Sequence, residues 1–352
     1  MYKKFFMGIA AMAALTLVSC SSDDLNSLSD NSSKNEAISF DGYLGRSAVA
    51  VNGSRGSVLD KDALQNSTEG FGVFGNYNST GGQNFGANLF NNQQVKYSST
   101  DNKWTYENTK YWPTEGHIDF LAYAPYVETP NFQGSSIDFT VENNVAAQKD
   151  LLWANAKDQT KQTISSTDNK VKFHFAHALS RLGYSVKLKD AYSDATITLK
   201  KITLAGSANE ATKAFYSEGT IDLSKEDKAA KLWTPSTTAD KQNFTWFSGN
   251  QKLTDKVANN TEYLFVIPQD FSQKTSGADE LYVIVEYTVE LPLQTGTTGP
   301  MTTSVSRKLE KNFEQGKAYT INLNIGLTPI EFNAEVNDWD PKDGESIDAS
   351  WN

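Results

Sequence analysis

The sequence is poor in cysteine, histidine and positive charge. Cys20 is the single cysteine among 352 residues. No disulfide can therefore form within the chain, and no cysteine-rich metal site can be assembled. A chain of this length needs large hydrophobic cores instead. There are three histidines, and 32 Lys and Arg stand against 42 Asp and Glu, for a net charge of −10. That balance, with both signs scattered, excludes the basic face expected of a general nucleic-acid or anionic-membrane binder. No apolar run reaches the roughly 20 residues needed to span a bilayer as a helix. Long Leu/Ala/Glu helical stretches are also missing. What is present is aromatic: 19 Phe, 15 Tyr and 7 Trp, within a hydrophobic fraction of only 38%. With abundant Thr and Asn, this composition suits strands that have one wet face.

The N-terminus carries Lys3 and Lys4, then an apolar run from Phe5 to Val18. Its length fits the core of a secretory signal. Leu17-Val18-Ser19-Cys20 resembles the lipobox of bacterial lipoproteins. The resemblance implies removal of residues 1–19 and lipidation, such as palmitoylation, at Cys20. Residues 20–36 read as a polar tether, and Asp23-Asp24 resembles a surface-export signal of Bacteroidetes lipoproteins.

Beyond the tether the pattern has a period of two. Ala37 to Leu44 reads as a strand with Ile38, Phe40 and Leu44 on one face and Ser39, Asp41 and Tyr43 on the other. Arg46-Ser47 and Arg55-Gly56 follow in small, flexible sequence where a protease could bind extended backbone. Strands are expected at Phe71–Tyr77 and Ile118–Ala124, with a hairpin over Val95–Tyr106 and a polar loop over Asn84–Gln94. Polar residues from Lys157 to Asn169 suggest an interdomain boundary, giving domains at 37–168 and 169–352. In the second, Ile197 and Leu199 share one parity while Ile202 and Leu204 share the other, so Lys200-Lys201 marks a bulge. Long alternations follow at Leu281–Leu291, Tyr319–Leu327 and Ile330–Val336. The expected architecture is all-β, with two tandem antiparallel β-sandwich domains.

No enzyme chemistry emerges. His174 and His177 are three apart on a strand, which points them to opposite faces. His117 has no partner nearby in sequence. All three read as structural, and neither a metal site nor a cofactor is expected. Carboxylates are numerous without a recognisable pairing. Gly81-Gly82 lacks the Lys-Ser/Thr of a phosphate loop.

Several separated blocks resemble one family, the Bacteroidetes fimbrillins that build type V pili. They are Tyr111-Trp112-Pro113 with Ile118 to Pro125, Phe173 to Leu182, Tyr263 to Gln269, Phe313 to Tyr319, and Val336 to Trp339. The resemblance implies two transthyretin-like sandwich domains and a lipidated precursor at the outer surface. It also implies cleavage by an Arg- or Lys-specific protease after the first strand of the N-terminal domain, residues 37–46. A strand from another fimbrial subunit would then fill the opened groove, with adhesion as the outcome. The cut is expected at Arg46/Ser47, with Arg55/Gly56 as the alternative. Ile330, Phe332, Ala334 and Val336 are candidates for the donated strand. They could equally complete their own sheet and leave the tail beyond Trp339 as donor. The competing expectation is a surface lipoprotein that stays anchored through Cys20, uncut, as a pilus anchor or a glycan- or host-ligand-binding adhesin.

Overall fold

Alternating apolar residues, Gly and Asn turns and few helix formers produce a nearly all-β chain. The structure is a computed structural model that describes residues 36–44, 58–192, 195–226, 231–260, 262–291 and 299–326, together with the backbone of 331–338. The lipobox at Cys20, both arginine sites, Ile330 and the tail beyond Asp338 lie outside the described residues.

The first strands are β1 (Phe40–Leu44), β2 (Phe71–Asn78), β3 (Phe90–Ser98), β4 (Lys103–Thr105) and β5 (His117–Ala124). They are followed by β6 (Phe132–Gln133), β7 (Ser136–Thr140), β8 (Leu152–Gln159), β9 (Val171–His177), β10 (Ser180–Leu188) and β11 (Thr196–Ala205). Next come β12 (Glu218–Asp222), β13 (Trp233–Pro235), β14 (Phe244–Lys252), β15 (Ala258–Asn259), β16 (Leu264–Val266) and β17 (Gln269–Asp270). The last are β18 (Tyr282–Glu290), β19 (Met301–Lys308), β20 (Asn312–Phe313), β21 (Lys317–Ile325) and β22 (Glu331–Asp338). A short α-helix, α1 (Lys61–Asn66), is capped by Asp60, whose side chain accepts the Ala63 N–H. No helix among the described residues is long and apolar enough to cross a membrane.

Seven strands form one sheet in the order β1-β9-β8-β5-β2-β3-β4. One face of it covers a core that includes Phe40, Phe71, Phe90, Phe120 and Phe173. The opposite face contributes Phe74, Leu121, Tyr123 and Trp153 to a second, larger core, built mainly from residues beyond Ala178. Strand β5 is consequently buried at every position. The second core is enclosed by sheets ordered β15-β10-β21-β22, β14-β11-β18-β19 and β13-β12-β7-β6.

Three expectations need correction. The change of core lies at Ala178, not after residue 168. Val171, Phe173 and Phe175 face the first core, which draws β9 into the first sheet between β8 and β1. Phe90 to Gln94 belong to β3 rather than to a loop, because Phe90 is a core residue and Gln93 and Gln94 pair with β2. The sheets are not wholly antiparallel either: β1 runs parallel to β9, and β10 parallel to β21. The parity change at Lys200-Lys201 is a register shift of β11 against both of its neighbours, between Leu199 and Lys201.

Candidate functional site

The alternation in Ile38 to Leu44 puts Ile38, Phe40 and Leu44 inward, all buried. Tyr43 faces outward and packs edge-on against the exposed ring of His174. Strand β1 is the terminal strand of its sheet and pairs with β9 alone, Phe40 opposite Val171 through Leu44 opposite Phe175. The sheet curls until β4, its other end, touches β1. The strand thus fills a slot between β9 and β4.

Backbone bonds fix its leading end. The Val171 N–H donates to the Ser39 carbonyl at 2.8 Å, and the Ile38 N–H to the Lys110 carbonyl at 2.8 Å. The Tyr106 hydroxyl donates to the Ile38 carbonyl at 2.7 Å, and burial pushes that phenol above its ordinary range. Side chains fix the middle. The Phe40 ring lies 5.4 Å from Phe90 and Tyr106, and 5.6 Å from Phe120 and Phe173. At Gly42 the rings of Phe71, Trp104 and Phe175 close over the backbone, 3.4–3.5 Å from where a Cβ would stand. Without β1, the slot would expose these aromatic rings and the hydrogen-bonding edge of β9. That edge and apolar floor would attract another strand.

The other predicted strand, β22, is also terminal. It pairs antiparallel with β21, Asn324 opposite Glu331 through Lys317 opposite Asp338. Phe332, Ala334 and Val336 thus lie in a strand that completes its own sheet. The structure does not bring them to β1.

The histidines separate as their spacing requires. His177 is buried, and its Nδ1 lies 2.8 Å from Asp150 Oδ2. The same oxygen accepts the Leu59 N–H at 3.1 Å, which ties the segment before α1 to the start of β8. Arg181 is half-buried; desolvation lowers its pKa, while Tyr263 and Asp150 act in the opposite sense. Its guanidinium lies over the Tyr263 ring, 4.4 Å from the centroid. His117, read from sequence as lacking a neighbour, faces Asp119 and Asp158. Sequence spacing offered no signal for the Asp150–His177 pair, since Asp150 precedes β8 and His177 ends β9.

With this geometry in place, comparison with known proteins is informative. The sequence model of fimbrillin-like proteins matches residues 58–339. A fimbrial protein from Bacteroides vulgatus is similar in structure, with a TM-score of 0.62 and 22% identity over 86% of this chain and 99% of that one. A candidate cell adhesion protein from Bacteroides uniformis gives a TM-score of 0.51 and 17% identity over 86% and 99%. Likeness at these identities establishes a shared fold. No curated protein matches the chain.

Proposed function

The chain belongs to the fimbrillin-like family, and from that premise we propose that it is a cell-surface fimbrial subunit that polymerises by exchanging a strand. It is exported as a precursor lipidated at Cys20 and held at the outer membrane. A protease specific for Arg or Lys cuts after Arg46, or alternatively after Arg55, and frees β1. The vacated slot then receives a strand from the next subunit, and the assembled fimbria serves adhesion.

One observation carries this reading. Ile330-Glu331-Phe332-Asn333-Ala334-Glu335-Val336 repeats the side-chain pattern of Ile38-Ser39-Phe40-Asp41-Gly42-Tyr43-Leu44. Each has Ile, Phe, a small residue and an aliphatic residue at alternate positions. Each has Asp or Asn between the Phe and the small residue. A β22 segment laid in the slot in the direction of β1 would present Phe332 where Phe40 sits and Ala334 where Gly42 sits. Both segments end a sheet, so exchanging one for the other breaks pairing with a single neighbour. Such a contact is head-to-tail and propagates as an open filament rather than closing into a ring.

The test is to treat the purified precursor with an Arg-specific protease, sequence the new N-terminus and follow mass by size-exclusion chromatography. A new terminus at Ser47 or Gly56 with growth into polymers supports the proposal. A Phe332→Asp variant should be cut but remain monomeric. A chain that stays intact, or is cut without assembling, overturns it in favour of a permanently anchored surface lipoprotein.

A further inference from the structure

A second cluster lies apart from the β1 slot, at the start of β5. His117 and Asp119 are two residues apart on that strand, so their side chains share a face. The β5–β8 register shifts between Ile118, opposite Gln159, and Phe120, opposite Ala156. Two residues of β8, Lys157 and Asp158, therefore oppose Asp119 alone. Asp158 takes a positive φ of 53° at this bulge, and its N–H donates to Asp119 Oδ1 at 2.8 Å.

The result is a convergence of three ligating atoms. His117 Nε2 lies 3.5 Å from Asp119 Oδ2 and 3.6 Å from Asp158 Oδ1. All three atoms lie within 4.8 Å of one another. Two ligands bound to one tetrahedral zinc ion at 2.0–2.2 Å stand about 3.3–3.6 Å apart. Both histidine–carboxylate separations match that spacing without movement of the backbone.

Charge points the same way. Asp119 is fully buried, and His117 is the ion-pair partner, alone among the described residues, of both Asp119 and the exposed Asp158. Two carboxylates therefore converge on one imidazole with neither Lys nor Arg to balance them, and burying the Asp119 charge is costly. Neutral donors hold Asp119 in place: Oδ2 accepts from Asn78 Nδ2 at 2.9 Å and from the Asn84 N–H at 3.0 Å. Asn78 Nδ2 also lies 3.4 Å from His117 Nε2, so one amide group is directed at two of the three ligating atoms. A cation would supply in full the positive charge that this amide supplies in part. Asn78 and Asn84 also line an open polar recess, and Asp158 is exposed, which leaves an approach from solvent.

We propose that His117, Asp119 and Asp158 bind a divalent first-row transition cation, with zinc the best match and water completing its coordination. An imidazole nitrogen among the ligands favours this class over calcium or magnesium, which take oxygen ligands. The ion would pin β5 to the β8 bulge. The proposal does not depend on strand exchange.

The test uses the full mature chain, stripped with a chelator and titrated with Zn²⁺ by calorimetry and with Co²⁺ by visible absorption. One ion per chain is expected, with the intense Co²⁺ bands of a low-symmetry four-coordinate site. Asp158→Ala, at an exposed position, should leave the metal-free chain folded, with a melting temperature lowered slightly by alanine at a positive φ, and weaken Zn²⁺ binding at least about tenfold. His117→Gln should abolish the Co²⁺ bands. Absence of saturable binding overturns the proposal, as does equal affinity in the wild type and Asp158→Ala. If His117→Gln does not fold, Asp158→Ala decides alone.

Discussion

Phe40→Ala provides a quantitative test of how firmly the first strand is seated. Phe40 is 2% exposed, and its ring meets those of Phe90, Tyr106, Phe120 and Phe173. Truncating a core Phe to Ala costs about 3–5 kcal/mol, because the aromatic lining cannot collapse fully into the space left. Ile38, Phe40 and Leu44 together contribute about 5–9 kcal/mol of burial, at about 1.5–3 kcal/mol per side chain. The substitution therefore removes a large share of what holds β1. Its effect should be local, since β1 pairs with β9 alone. Native-state hydrogen exchange reads this directly. The Val171 N–H, bonded to the Ser39 carbonyl, should exchange about 10² to 4 × 10³ times faster, at 1.4 kcal/mol per decade. Amides of β21 in the second core should keep their rates. Unchanged exchange at Val171 would show that Phe40 does not hold the strand. Equal acceleration in β21 would show that β1 opens only with the whole chain. Either result would refute the reasoning.

Two further outcomes follow from buried polar groups. Asp150→Ala removes the acceptor shared by His177 and the Leu59 N–H, and should cost at least about 1–3 kcal/mol. An unmoved urea midpoint would contradict this. Tyr123, Tyr184 and Tyr319 are held by burial at pKa values of about 12, against about 10 in an unfolded chain. Between those values the unfolded state binds fewer protons, so the stability these phenols contribute is present below pH 10 and is lost as pH rises towards 12. Absorbance titration of the 15 tyrosines should show a late-ionising fraction while the chain remains folded. A single transition near pH 10 in the folded protein would exclude that burial effect.

The sequence made the strands legible wherever one face is wet. Alternation located β1, β9 and β21, and the parity change in β11 located its bulge. It was least informative where that contrast disappears. Strand β5 has a core on each side, so burial does not alternate along it; its apolar run marks it as a strand but does not say that both faces are covered. Strand β19, Met301 to Lys308, is a polar edge without a buried residue, and its Thr/Ser run carries no hydrophobic period. Parallel pairing of β1 with β9 and of β10 with β21 is set by long connections that no local pattern encodes. The same holds for the sites. Ile38, Phe40 and Leu44 could be assigned to one face from spacing alone. The meeting of Asp158 with His117 depends on a bulge between strands about 40 residues apart, which appears only once the sheet is assembled.

The parallel pairing of β10 with β21 also bears on mechanics. Eight consecutive residue pairs join them, from Arg181 with Ala318 to Leu188 with Ile325. The first core precedes the start of β10, and β22 follows the end of β21. Tension entering at Leu179 and leaving at Gly326 would pull the two strands lengthwise past each other. In that geometry the inter-strand hydrogen bonds share the load and must fail together, whereas an antiparallel hairpin pulled at its open end peels one bond at a time. Parallel order thus gives the second core a shear-loaded clamp, oriented to resist stretching along the path of the chain.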